Sequence, residues 1–151
     1  LVEKKAWSLK KKLLVAGSVL ALIGIAIAWY LFTLTFDDTA TVKADFSVQA
    51  DAFMKEFLAD EKQANAKYTE KIISVAGLIS SIEKADSSIN IKMSDSTTGS
   101  YIIFALQPEQ QVKAATLKEG DAVKIKGSCS GGTFSNILET ESITFKRCVI
   151  E

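Results

Sequence analysis

An unbroken apolar run dominates the first quarter of the chain. From Leu13 to Phe32 the sequence LLVAGSVLALIGIAIAWYLF holds no charged residue and no proline. At about 1.5 Å per residue such a helix spans about 30 Å, the thickness of one hydrocarbon core. The apolar character continues through Thr33-Leu34-Thr35-Phe36 and stops at Asp37-Asp38. That is longer than the core of a signal peptide, about 7 to 15 residues, so the pattern predicts an uncleaved transmembrane helix over residues 13–36. A polar linker, residues 37–46, follows. Apolar residues then recur at helical spacing, with Ala50, Phe53, Met54, Phe57, Leu58 and Ala64 on one stripe. This predicts an amphipathic helix over 47–67, capped by Ser47 or Asp45. Beyond it the period changes to 2. Residues 71–83 predict a long strand bent at Gly77, and 88–93 a strand with Ile89, Ile91 and Met93 on one face. Residues 101–106 predict a third strand, and 108–117, opening on Pro108, a short helix. A Gly120-Asp121 turn leads into a strand over 122–129, and the last strand or strand pair covers 137–150. The expected architecture for 68–151 is therefore an OB-fold-like barrel of five strands, with its short helix between strands three and four. A second five-stranded architecture, the SH3-like barrel, fits the inserted segment before Gly120 less well.

Charge gives the helix a direction. The formal net charge is zero, yet residues 1–12 carry five lysines against Glu3, while 37–151 carry 13 basic and 17 acidic residues. Lysines beside a span are retained in the cytoplasm. The pattern places the basic tail, 1–12, inside the cell and the C-terminal domain outside the cytoplasm, as in a single-pass protein of a bacterial inner membrane with a periplasmic domain. Trp7 and Trp29-Tyr30 mark the two ends of the span, where amphipathic rings prefer the headgroup layer. Within the span, Gly17, Ala21, Gly24 and Ala28 fall on one narrow stripe of small side chains, a surface on which another helix packs closely. The expected partners are the lipid bilayer and, through this stripe, membrane proteins. An acidic domain repels phosphate backbones, so nucleic acid is not an expected partner.

The chemistry-bearing residues are few. There is no histidine, which removes the commonest general base and transition-metal ligand. Ser130 and Ser135 thus have no histidine to activate them. The acid pairs Asp37-Asp38, Asp60-Glu61 and Glu139/Glu141 lie in polar stretches and read as solvated surface. Gly131-Gly132 reads as a loop rather than a phosphate cradle, because no strand leads from it into a helix. No catalytic residue, cofactor, metal or small-molecule substrate is expected. Cys129 and Cys148 are the only cysteines. Lying on separate predicted strands in an oxidising compartment, they are expected to form a disulfide worth about 3 kcal/mol in the chain-entropy model. For a ligand face, the aromatics near the second and third strands and their loops are Tyr101 and Phe134, with Phe104 assigned to the core.

Four segments carry a resemblance to a known family: Ala64-Asn65-Ala66-Lys67-Tyr68, Lys71-Ile72-Ile73-Ser74-Val75-Ala76-Gly77, the run from Leu117 through Gly120-Asp121 to Gly131, and Ile143 to Ile150 with Phe145 and Cys148. In order and spacing they resemble the tRNA-anticodon-like OB-fold family of bacterial membrane-attached and lipoprotein-like proteins, over residues 50–151. Ile102 stands where many members carry a cysteine, and a span stands where many carry a lipoprotein cysteine. The resemblance implies the fold. The residues point to a non-catalytic accessory or assembly subunit of an inner-membrane complex, with a membrane-anchored binding module for a glycan or peptide as the second reading.

Overall fold

The computed structural model describes residues 8–33 and 38–151. Trp7, most of the basic tail (1–7), the end of the apolar run and the start of the linker (34–37) lie outside the described residues. The chain divides into two compact units, Leu1–Asp37 and Asp38–Glu151.

Among the described residues the first unit holds one helix, α1 (Leu9–Thr33), of 25 residues. Lys10–Leu31 within it is long and apolar enough to cross a membrane. Its side chains over that stretch are exposed on every side. The Ser18 hydroxyl, within the run, donates to the Val15 carbonyl at 2.9 Å, so it carries no unmade hydrogen bond into an apolar medium.

The second unit contains β1 (Phe46–Gln49), α2 (Ala50–Ala59), α3 (Glu61–Tyr68), β2 (Ile72–Leu78), β3 (Ser81–Ala85), β4 (Ser88–Ser94), β5 (Tyr101–Leu106), a 3₁₀ turn at Pro108–Gln110, α4 (Gln111–Ala114), β6 (Ala122–Ser135) and β7 (Thr140–Ile150). The strands form a single sheet in the order β1-β2-β6-β7-β5-β4-β3. The expected five-stranded barrel is thus corrected to an OB-like sheet of seven strands that no ladder closes. Two local causes account for the extra strands. The predicted long first strand is split, because Ile79 and Ser80 leave the ladder: the Ile79 N–H donates to Asp121 O at 3.0 Å and the Ser80 N–H to Lys92 O at 2.8 Å. Those two residues join β2 to β3, near opposite ends of the order, so the sheet curls until they meet. The second extra strand is β1, which pairs in parallel with β2.

β1 also corrects the predicted single helix over 47–67. Ser47 is in the strand, and Asp45 accepts from the Ile72 N–H at 3.0 Å instead of capping a helix. The helical segment begins at Ala50 and breaks at Asp60, whose carboxylate accepts from the Gln63 N–H and so caps α3. The apolar stripe is as expected: Phe53, Met54, Phe57 and Ala64 are buried. Rings tie the helices to the sheet, Phe53 standing 5.1 Å from Phe57, 4.9 Å from Tyr68 and 5.8 Å from Phe145. Fully burying each such ring stabilises the fold by about 2 to 3 kcal/mol.

Gly77 has a different role from the predicted bend. It lies inside β2 as ordinary strand, and a Cβ there would stand 2.8 Å from both Ala50 Cβ and Met93 Sδ. Its smallness admits the start of α2 against the sheet. Gly131-Gly132 is likewise not a loop. The pair sits within β6 at a bulge, where the register with β7 shifts between Cys129 and Gly131 and Gly131 adopts φ +105°, a conformation that favours glycine.

Candidate functional site

The ladder β4-β5-β7-β6 sorts its side chains between two faces, since directly paired residues share a face. One face carries the rows Ile91–Phe104–Phe145–Cys129 and Met93–Ile102–Ile143–Gly132 and is buried. The other carries Lys92–Ile103–Thr144–Gly131 and Ser94–Tyr101–Ser142–Thr133. Tyr101 is therefore on the open face, with the Lys92 ammonium 4.0 Å from its ring centroid. Phe134 pairs with Glu141 and shares the inner side with it. The two proposed ligand-face aromatics are not brought together. The open face offers one ring, already occupied by a cation, among hydroxyl side chains.

The larger concavity lies elsewhere. A cleft of about 970 Å³ opens between the start of α2, the end of β2, α4 and the Gly120 turn. Its floor is made by Met54, Gly77, Ile79, Met93 and Val123, and its rim by Asp51, Lys113, Lys124 and Glu151. Both methionines of the chain are in this floor, and no aromatic residue lines it. Leu78, also in the lining, is 62% exposed. Part of the rim is internally tied: the Lys113 ammonium donates to Ile150 O at 2.6 Å, and Lys124 approaches Glu151 at 3.5 Å. Glu151 also accepts from the Ser74 hydroxyl. Burial pushes the Glu151 carboxyl upward, but Ser74, Lys124 and Lys126 outweigh it and hold the group below its ordinary range. Sequence reasoning missed this cleft, because it is assembled from seven elements, β1, α2, β2, β4, α4, β6 and β7, whose residues are unremarkable one at a time.

The expected disulfide is not formed. Both cysteines are free and buried. Cys129 pairs with Phe145 across β6–β7, whereas Cys148 lies beyond the irregularity in β7 and pairs with Leu106 of β5. Its thiol stands over Gly127, where a Cβ would be 2.5 Å from the sulfur. Burial pushes the Cys129 thiol up to about 11 and Cys148 higher still, so both are held as neutral thiols.

Glu141 also departs from its solvated reading. It is fully buried, in phase with Ile143 and Phe145, and neither carboxyl oxygen has a hydrogen-bond partner among the described residues. Among the described residues, no group of three His, Cys, Asp or Glu side chains is placed to hold a metal ion. In the span, a Cβ on Gly17 or Gly24 would meet nothing within 4 Å. Packing inside this chain does not require the small residues of that stripe.

Comparison with known structures agrees with this architecture. A proposed nucleic acid-binding lipoprotein from Klebsiella pneumoniae superimposes with a TM-score of 0.55 at 18% identity, over 78% of this chain and 98% of that one. A proposed aspartyl-tRNA synthetase from Leishmania major gives 0.44 at 8% identity, over 78% and 22%. An OBody bound to hen egg-white lysozyme gives 0.43 at 21% identity, over 62% and 90%. The first of these likenesses speaks to the fold, and the other two carry no weight at their TM-scores. No curated protein matches the chain in sequence. The profile of the tRNA_anti-like family matches residues 9–143, most of the length including the apolar helix, and the chain belongs to that family.

Proposed function

We propose that the chain is a non-catalytic accessory or assembly subunit of a bacterial inner-membrane complex. On this reading α1 spans the bilayer once, the lysines keep its N-terminus in the cytoplasm, and the OB-like domain docks an extended peptide segment of a partner protein on the periplasmic side. The observation that carries the docking step is the make-up of the cleft. Leu78, exposed in its lining, supplies accessible apolar surface, and its rim carries both signs of charge. A peptide presents the same mixture. A glycan or a base asks instead for exposed rings to stack on, and this cleft has none. The relative from Klebsiella is named for nucleic acid, but the excess of acidic residues in 37–151 and the single ring on the open sheet face favour a protein partner here.

The test is co-purification from mild detergent of three forms, the parent, Leu78→Asp and Gly24→Leu. Leu78 is exposed enough for the charge to leave folding intact, so Leu78→Asp should release the partner by at least tenfold without changing the thermal midpoint. Gly24→Leu reports whether the span shares in the association. Undiminished recovery of partners by Leu78→Asp would remove the cleft from the account.

A further inference from the structure

The buried carboxyl of Glu141 has no structural partner, and its surroundings give it a task. It lies in the seam between the helices and the sheet. A Cβ added to Gly132 would stand 2.5 Å from Glu141 Oε1 and 2.5 Å from the Phe57 ring, so glycine, carboxyl and ring are in close contact. The groups facing it come from four elements. α2 presents Phe57, β6 presents Gly132 and Phe134, and the segment before β5 presents Ser100, whose hydroxyl accepts from the Glu141 N–H at 3.1 Å. α3 presents Glu61, a charge of the same sign, whose carboxylate accepts from the Phe134 N–H at 3.0 Å. α3 carries two lysines, Lys62 next to Glu61 and Lys67, and Lys67 is committed to Glu56 at 2.7 Å. No cation and no donor meets the carboxylate form among the described residues.

We propose that Glu141 is a proton-operated latch: protonated, it fills the seam and keeps the α2–α3 elbow seated on β6–β7, and on losing its proton to solvent it lifts that elbow and uncovers Phe57 and Phe134. An ionised carboxylate in an apolar site without a partner is among the most costly groups to bury, so it either binds a proton or the site opens. Burial first, and Glu61 second, push the group up to about 7 from an ordinary value near 4.5. The direction follows from that shift. In the unfolded or lifted state the carboxyl ionises near 4.5, while the seated state keeps its proton to about 7. The seated state is therefore fully favoured below about 4.5, loses ground as the pH rises, and stops losing it above about 7. The elbow is a natural hinge, because the helix breaks at Asp60.

Hydrogen exchange and thermal melting of the full chain in mild detergent test the latch, comparing the parent with Glu141→Gln, which keeps shape and removes the charge. The readout is the ratio of exchange rates, parent over variant, in segments 57–65 and 131–135; taking the ratio cancels the intrinsic pH dependence of exchange. It should be near one at about pH 3.5, below the range in which the lifted carboxyl ionises, and at least tenfold at about pH 8.5, and the variant should melt higher than the parent at the upper pH. Glu61→Gln keeps the acceptor for Phe134 and removes the like charge, so it should move the fall in parent stability to lower pH and reduce it. An exchange ratio that does not change with pH, or an equal pH dependence of melting in parent and Glu141→Gln, would overturn the latch.

Discussion

Gly132 shows how much one missing methyl group decides. Its backbone is ordinary strand, so the requirement is for space alone: the position a Cβ would take is already held by the Glu141 carboxyl and the Phe57 ring. Neither neighbour yields cheaply, since Phe57 is fully buried and packed against Phe53 and Tyr68. Gly132→Ala should destabilise the domain by about 2 kcal/mol, the usual scale of overpacking, read as a lower thermal midpoint. An unchanged midpoint would mean that the seam is looser than its geometry indicates. The residue pattern carried part of this. Glu141 is in phase with Ile143 and Phe145 along β7, and strict attention to period 2 would have turned it inward. The opposing expectation, that an acid in a polar stretch is solvated, is usually correct, and it failed because α2 covers this part of the sheet. Nothing in the sequence near position 141 announces that cover.

At the scale of elements, the docking of α3 on the sheet rests on a compact polar clamp. The Asn65 side-chain oxygen accepts from the Gly132 N–H at 2.8 Å, and its amide donates to Gly132 O at 2.9 Å. One side chain thus satisfies both main-chain groups of Gly132, which lies on the part of β6 beyond its pairing with β2, ended at Ser128. Asn65→Ala should cost about 2 kcal/mol, because two part-buried backbone groups lose their partner, while Asn65→Asp keeps the acceptor and should recover part of the loss. Equal melting of Asn65→Ala and the parent would show that water replaces the clamp. The same elements show where sequence reading stops. The strands over 88–93 and 101–106 were legible from their alternation, and the helix stripe from its spacing. β1 was not, because Phe46-Ser47-Val48-Gln49 is too short for a pattern and becomes a strand only through β2 beside it. The Asp60 break was written in a capping residue, Asp60 before Glu61, that lies inside an otherwise continuous helical stripe.

The whole molecule joins a helix long and apolar enough to cross a membrane to a domain with a cleft of about 970 Å³. The helix was fully legible, since twenty apolar residues are a signal that needs no tertiary context. The OB-like order of elements was legible as well. The cleft was not, as it exists only where the curl of the sheet brings Gly77, Met93 and Val123 beside the start of α2. On the function proposed above, the cleft with its charged rim and the apolar helix belong to a subunit that works by holding another protein. The measurement closest to that claim is native mass analysis of the parent chain, extracted from its membrane in mild detergent. Co-migration with a defined larger complex is the predicted result, and a lone monomer at every detergent mild enough to preserve membrane complexes would contradict it.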